Sequence, residues 1–558
     1  MSGFKRRGLL AAVAFAIPAV VAGAPAVSAS AEPKIDVSGG VTQPVFSYED
    51  AIREHVRVEA PVDSDGDGRK DLIRVDIIRP KESDSGLKVP VIMQESPYYD
   101  IGVGYEKEKK KYDANGNVTK FPMYYDNYFV PRGYAFVSVD MIGTRLSEGC
   151  PTSYGAGDVL GGKAVVDWLN GRATAYDDHG KAVEATWTTG RTGMIGHSYE
   201  GGLGVGVAGT GVPGLATIVN LLVYSSGYEN WRNNGTFTWF KGGAAFQSKW
   251  IDRDPDEKCA AMRQKMLEDS DDVTGNYNAF WHERNYRDGP VSKARDIKAS
   301  VFSVMGTQDR NAAGSQFSEW WAMLPRTVQR KAWVTQYGHM DPFWARREVW
   351  LDTLNKWFDH ELMGVRNDIM RRPRVDVQLG PGRWITQADW PAPTQTTTLR
   401  PQQDGSLAGA PSTGAAGYID TARTEAAMAA DPGAANPNRL AYLTPPLKNA
   451  IRVSGTPSVS LKVKLDKPSA NLGVLLVDYG TDTRIDTRET GPDRAEGMRF
   501  TGAEDCVGQS TADDDGCYIK VVDNTGTSAF HVVTRGILDA QNHKSLSRST
   551  PLTPGKPY

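Results

Sequence analysis

Between Leu72 and about Gly364, short continuous apolar runs alternate with stretches of helical pattern, and this alternation limits the fold more than anything else in the chain. The runs are Leu72–Ile78, Val89–Gln94, Tyr134–Val139, Gly193–Ile195, Thr217–Leu222, Val301–Met305 and Lys331–Tyr337. Helix-like stretches lie between several of them, among them Ala164–Leu169, Gln316–Met323 and Glu348–Leu362. A strand that is apolar without alternation is buried on both faces, so the sheet must be largely parallel and covered by helices on each side. The expected class is therefore α/β. Residues 228–296 break the pattern with Trp, Asn, Arg, Lys and Asp, and read as a helical insertion capping the sheet. After Gly364 the character changes. Residues 372–399 are Thr-rich, 401–439 hold few large apolar residues, and Val453–Leu465 and Leu472–Tyr479 alternate as strands do. The last part reads as a β-sandwich domain. The expected division is 1–31, 32–365 and 366–558, with the cap at about 228–296.

Residues 1–31 read as a secretory signal peptide, not as part of the fold. Lys5, Arg6 and Arg7 precede an apolar run from Leu9 to Val21, and small residues at Ala24-Pro25-Ala26 and Ala29-Ser30-Ala31 offer cleavage sites. The run is shorter than the roughly 20 residues of a membrane span. Arg6-Arg7 also suits the twin-arginine route. The mature protein is thus expected to be secreted, with no membrane association after the leader is removed. The 4 cysteines, Cys150, Cys259, Cys506 and Cys517, fit an oxidising compartment. Four cysteines allow three connectivities, of which Cys506–Cys517 closes the shortest loop and leaves Cys150–Cys259. With 40% hydrophobic and 23% charged residues the chain is no disordered protein. Its net charge of −3 argues against a nucleic-acid partner.

The chemistry concentrates at Thr192-Gly193-Met194-Ile195-Gly196-His197-Ser198-Tyr199-Glu200-Gly201-Gly202. A short strand runs into Gly-His-Ser-Tyr and then a small-residue stretch able to start a helix, which is the setting of a nucleophile elbow. The strict pattern has Gly two residues after the serine, where this chain has Glu200. A serine nucleophile in this architecture is followed by Asp or Glu and then His. Asp309 stands just beyond the Val301–Met305 run, and His339 follows the Lys331–Tyr337 run. Both are sheet-end positions, where active-site residues collect in open α/β folds. Only 8 histidines are present, so one in the expected place and order is informative. His360 lies in a helical pattern and reads as structural, His197 is too near Ser198 to serve it, and Asp341 follows the histidine in the wrong order.

On these residues the chain resembles the Xaa-Pro dipeptidyl-peptidase and cocaine-esterase-like serine hydrolases. Gly196-His197-Ser198-Tyr199-Glu200-Gly201 matches their GxSYxG motif, in which the Glu200 position is normal. Ser96-Pro97-Tyr98, Asp140–Gly149, Asp167–Gly171, Trp281–Tyr286 and Gly306–Asn311 match as well, from about residue 45 onward. The Asp167–Gly171 segment, Ser225-Ser226 and the form around Asp309 resemble the dipeptidyl-peptidases more than the esterases. The resemblance implies an α/β-hydrolase core, a helical cap and a jelly-roll-like C-terminal domain. It implies Ser198 as nucleophile, Asp309 as orienting acid and His339 as general base, with the Tyr98 hydroxyl and the Tyr199 N–H as oxyanion donors. Relatives continue beyond the turn at Pro554–Tyr558 with further strands, so the C-terminal domain is expected to be truncated. The implied reaction releases Xaa-Pro dipeptides from proline-containing peptides and needs no cofactor. An esterase or amide acylase with the same triad, or a non-catalytic cell-wall or carbohydrate-binding protein, are the alternatives. Glu200 and Glu229 are candidate partners for the substrate ammonium.

One further loop attracts attention. Asp63, Asp65, Asp67 and Asp71, with Gly66 and Gly68, resemble the first half of an EF-hand calcium loop, but the twelfth position holds Arg74 where a bidentate Glu is required. The preferred reading is a polar turn, with no metal.

Overall fold

The computed structural model describes residues 33–99, 101, 109–121, 124–254, 258–488, 490–491 and 493–558, with residues 1 and 3. The expected leader over 1–31 therefore falls outside the described residues but for those two.

Twelve strands form one sheet. In chain order they are β1 (Ile52–Glu59), β2 (Leu72–Arg79), β3 (Val89–Ser96), β4 (Ala135–Asp140), β5 (Ala175–Tyr176), β6 (Ala182–Val183), β7 (Thr188–His197), β8 (Leu215–Leu221), β9 (Ser300–Gly306), β10 (Arg330–Thr335), β11 (Val375–Gly380) and β12 (Arg383–Gln387). Their spatial order is β6-β5-β1-β2-β4-β3-β7-β8-β9-β10-β11-β12. From β4 to β11 every pairing is parallel, and the antiparallel pairs lie toward the two edges. All seven apolar runs are strands of this sheet, as their continuous burial requires. Helices cover it: α1 (Ala156–Trp168) and α2 (Tyr199–Ala208) pack together over the central strands, and α7 (Gly314–Met323) and α8 (Arg347–Met363) follow β9 and β10. Trp350, Trp357 and Phe358 of α8 are fully buried against Phe302 of β9 and its neighbours.

Between β8 and β9 the chain makes the expected helical insertion, with α3 (Gly227–Trp231), α4 (Gly243–Ile251), α5 (Ala260–Asp269) and α6 (Ala279–Glu283) around a small core of Tyr228, Trp231, Met266 and Trp281. The Cys150–Cys259 disulfide ties the loop after β4 to the start of α5.

The sheet does not stop at residue 365, where the sequence placed the end of the α/β part. Val375 and Val377 are buried alongside Ala332 and Val334, so β11 adds to β10 in parallel and β12 closes the edge. Beyond them the C-terminal domain is built of strands, as expected. β13 (Asn471–Ile485) and β17 (Thr525–Asp539) form a long antiparallel ribbon, and β14 (Arg494–Ala495), β15 (Met498–Cys506) and β16 (Cys517–Asp523) a three-stranded sheet. Cys506 and Cys517 are directly opposed and disulfide-bonded. Val453–Leu465, expected as a strand, is not one. It makes a single bridge, Lys464 to Pro557, and Val453, Val459 and Leu461 are 55%, 58% and 49% exposed. Its alternation is real, but no facing sheet among the described residues buries the apolar side. Among the described residues no helix is long and apolar enough to cross a membrane.

Candidate active site

The parallel strands all deliver their carboxyl ends to one face, and the candidate residues sit just past those ends. Tyr98 is two residues beyond β3, Ser198 directly follows β7, Tyr224 lies three past β8, Asp309 three past β9, and His339 four past β10. The topology thus gathers residues spread over some 240 positions.

Ser198 is held at φ 61°, ψ −124°, between the end of β7 and the start of α2. A non-glycine residue in this region is strained, and such strain persists only where surrounding structure imposes it. Here it is imposed from two sides. The Ser198 N–H donates to Leu221 O of β8 (2.9 Å), and its carbonyl accepts from Gly202 N (3.0 Å). A Cβ on Gly196 would lie 2.5 Å from the Glu200 carbonyl carbon, and one on Gly201 would lie 2.8 Å from Leu221 O. Strand and helix therefore approach closely at 196 and 201, and a glycine at 200 is not needed. The Glu200 side chain turns beneath the elbow, accepting from Gln94 Nε2 (2.8 Å) and His197 N (3.3 Å). Burial raises its carboxyl to about 7, against hydrogen bonds from Ser96, Gln94 and the His197 amide that favour the anion.

Asp309 and His339 meet directly: His339 Nδ1 is 2.8 Å from Asp309 Oδ2. Asp309 Oδ1 accepts from the amides of Asn311 (2.7 Å) and Ala312 (2.9 Å), which fixes the carboxylate. With Nδ1 as the donor to Asp309, the other ring nitrogen, Nε2, is the one left without a proton in the neutral ring. Burial disfavours the His339 imidazolium, but the charge and hydrogen bond of Asp309, with Glu496, outweigh it and hold the group above its ordinary value. His197 lies beside it, ring centroids 4.7 Å apart, and is kept neutral by burial and by His339. Asp341 accepts from Tyr124 (3.1 Å), Tyr125 and Phe343 N (2.8 Å) and takes no part in the pair. His360 lies in α8 with Nδ1 against Val365 O, as its helical pattern implies.

Tyr199 opens α2, where amides lack an intrahelical acceptor. Its ring stacks on Tyr154 at 4.0 Å, and its hydroxyl donates to Asp158 (2.7 Å), so the backbone N–H beside Ser198 is rigidly placed. Tyr98 packs edge-on against Tyr199 (6.2 Å) and against Trp250 of the cap (5.8 Å). Burial, with the nearby Glu200 charge, raises the Tyr98 phenol, which remains a proton donor.

Sequence reading missed two neighbours. One is Tyr224, which is buried with its ring 6.4 Å from that of His339. Leu222, at φ 56°, bends the chain out of β8, and the Gln316 side chain accepts from the amides of Ser225 (2.8 Å) and Ser226 (2.9 Å) to set the segment. Its position three residues past an apolar strand was the available signal. The other neighbour is Glu496, whose carboxylate accepts from His339 N at 2.9 Å. Trp250, exposed on the cap yet touching Tyr98, completes the rim.

Of the two carboxylates considered for a substrate ammonium, Glu200 lies inside the elbow, and Glu229 is taken by Arg287 Nη1 (2.5 Å) and Nη2 (2.9 Å). The acidic loop draws Asp63, Asp65 and Asp71 together, but Asp63 accepts from the amides of Gly66 and Gly68, and the Lys258 ammonium sits on Asp65 and 3.9 Å from Asp67.

The architecture and its strand-to-helix serine define an α/β hydrolase, and solved structures agree on the fold. An α-amino acid ester hydrolase superposes with TM-score 0.58 over 96% of this chain and 88% of that one, at 18% identity. A CocE/NonD family hydrolase of Staphylococcus aureus gives 0.50 over 95% and 87%, at 15% identity. Residues 65–341 match the X-Pro dipeptidyl-peptidase (S15 family), and 367–558 match the X-Pro dipeptidyl-peptidase C-terminal non-catalytic domain. A Streptomyces avermitilis relative bearing the Xaa-Pro dipeptidyl-peptidase name is 42% identical over 98% of this chain and 79% of its own length. The Xaa-Pro dipeptidyl-peptidase of Lacticaseibacillus rhamnosus is 30% identical over 94% and 72%. The chain belongs to the Xaa-Pro dipeptidyl-peptidase family of serine hydrolases.

Proposed function

We propose that the protein is an exported exopeptidase that removes Xaa-Pro dipeptides from the N-termini of peptides through an acyl-enzyme on Ser198. The Asp309–His339 hydrogen bond beside the strained Ser198 is the observation that carries this reading. Ser198 Oγ attacks the carbonyl of the penultimate proline as His339 Nε2 takes its proton. The oxyanion accepts from Tyr98 and the Tyr199 N–H. The C–N bond then breaks and His339 protonates the leaving amine. Water, deprotonated by His339, cleaves the ester and frees the dipeptide. Residues 32–365 with the two edge strands carry this chemistry, and 366–558 buttress it. The basic, then apolar leader and the two disulfides support export.

The test is kcat/KM on Ala-Pro-p-nitroanilide, its N-acetyl form, Ala-Ala-p-nitroanilide and p-nitrophenyl butyrate. N-acetylation is expected to cost on the order of 2–5 kcal/mol, because the exopeptidase reading requires a free N-terminal ammonium to be bound. Loss of the proline ring should cost about 1–3 kcal/mol. Equal cleavage of the acetylated and free substrates refutes the exopeptidase reading, and a butyrate ester turned over far faster than every anilide makes the protein an esterase.

A further inference from the structure

His339 sits on a loop whose outer side is closed by the C-terminal domain. Tyr337 donates its hydroxyl to Asp523. Gly338 N–H donates to the backbone carbonyl of Glu496 (3.1 Å), and His339 N–H donates to Glu496 Oε2 (2.9 Å). Three consecutive residues are thus held by one small sheet of the other domain, by Glu496 in the turn between β14 and β15 and by Asp523 at the end of β16. The fit is close: a Cβ on Gly338 would stand 1.9 Å from Glu496 Oε2. On the loop's inner side, a Cβ on Gly306 would stand 2.5 Å from Gly338 O. The loop is clamped from both directions.

The hairpin is built for this contact at a conformational cost. Glu496 and Gly497 form the two-residue turn between β14 and β15, at φ 53° and φ 90°. Such turns need positive φ at both central residues, for which Asn, Asp and Gly are suited and Glu is not. The turn is nonetheless anchored. Asn524 N–H donates to Gly497 O (2.8 Å), a Cβ on Gly497 would strike Ile485 at 2.5 Å, and Met498 and Tyr337 are buried in the same core. A strained, ill-suited residue kept in an otherwise fixed turn points to the side chain's function.

We propose that Glu496 is a positioning residue for His339, contributed by the domain whose family description is non-catalytic. Its carboxylate fixes the backbone that carries the imidazole and places a second negative charge beside Asp309. The titratable groups around His339 are Asp309 at Nδ1, His197 at 4.7 Å and Tyr224 at 6.4 Å from the ring and, from the C-terminal domain, Glu496 at the backbone N–H. Removing the Glu496 charge leaves the imidazolium with one fewer stabilising anion, so the pH below which His339 is protonated and inactive moves down.

This inference rests on His339 being the general base, and the experiment separates the two. The full chain is compared with Glu496→Gln, Glu496→Ala and His339→Ala on Ala-Pro-p-nitroanilide, with kcat, KM and the pH profile of kcat/KM measured for each. Glu496→Gln keeps an acceptor for the His339 N–H, so it is expected to retain kcat on the alkaline plateau within a few-fold while its acid limb shifts to lower pH. Glu496→Ala loses both functions and is expected to lower plateau kcat on the order of 10–100-fold with little change in KM. If the alanine variant does not fold, as judged by its melting transition, the acid limb of Glu496→Gln decides alone. An inactive His339→Ala together with an unmoved acid limb in Glu496→Gln overturns the inference. Wild-type turnover by His339→Ala overturns the reading of the site and this inference with it.

Discussion

At the scale of single residues, the site is a set of hydroxyls and one imidazole whose roles differ in severity. Ser198→Ala should abolish turnover, on the order of 10⁴–10⁶ in kcat, with an unchanged melting transition, since it removes the covalent step and little buried volume. Tyr98→Phe should lower kcat by about 10²–10³, the usual effect of losing one oxyanion donor. Tyr224→Phe keeps the ring beside His339 and removes only its hydroxyl, so it should lower kcat the least of the three, roughly tenfold, with KM nearly constant. Steady-state kinetics rank the three, and equal effects would contradict the assigned roles. Glu200 gives a prediction about stability. Its carboxyl has an ordinary value of 4.5 and is raised by burial to about 7 in the fold. Between those values the folded chain keeps a proton that the unfolded chain has released. The contribution of Glu200 to stability is therefore full below about 4.5, declines as pH rises to about 7, and is constant above. Glu200→Gln removes that dependence, so its advantage over wild type should grow between pH 5 and pH 8 by on the order of 3 kcal/mol. Thermal melts of both proteins at the two pH values measure it, and a gap that does not widen refutes it.

At the scale of elements, what was legible in the sequence was whatever local pattern decides. Continuous apolar runs marked seven strands of the sheet, six of them in its parallel part, and the elbow announced itself through Gly196, Ser198 and Gly201. Asp309 and His339 were readable because strand ends are marked in sequence and the order of the residues is constrained. Three things were not readable. Tyr224 looked like one more aromatic after a strand, because only the bend at Leu222 brings it beside His339. Glu496 gave no signal, since its contact lies 157 residues from His339 and depends on how two domains dock. Val453–Leu465 carried a true period of two, yet pairing requires a partner that period alone cannot supply. The elbow also yields a test of packing. A Cβ at Gly201 would meet two backbone oxygens, Leu221 O at 2.8 Å and Gly196 O at 2.9 Å, neither of which can rotate away. Gly201→Ala should therefore push α2 off β7 and β8, destabilise the protein by about 1–3 kcal/mol, and reduce labelling of Ser198 by a fluorophosphonate. A variant with wild-type melting and labelling would mean the elbow is looser than its geometry states.

At the scale of the molecule, the two domains share a core. Ile485, Met498 and Tyr518 of the C-terminal domain are buried in one cluster with Tyr124, Tyr337, Phe343 and Trp344. Tyr518 is the centre of that junction: its ring lies 5.1 Å from Phe343 and 5.8 Å from Tyr124, and its hydroxyl donates to Asn127 (3.2 Å). Arg347, at the start of α8, donates to the Tyr518 carbonyl (3.0 Å), and Gln509 accepts from Tyr48 N (2.8 Å) near the chain's start. Phe343 and Trp344 follow His339 by only a few residues, so the junction and the His339 loop are one packed unit. Two consequences follow from a shared core of this kind. Calorimetry of the intact protein should give a single unfolding transition spanning both domains, not one for each. Tyr518→Ala, which removes a fully buried aromatic, should lower stability by about 3–5 kcal/mol for the whole chain. It should also cut kcat well below its melting temperature, because the support beneath His339 loosens before the fold is lost. Hydrogen exchange gives the decisive reading: amides of 337–345 and of 494–523 should lose protection together in the variant. Loss confined to 494–523, with kcat unchanged, would show that the catalytic half stands without the C-terminal domain.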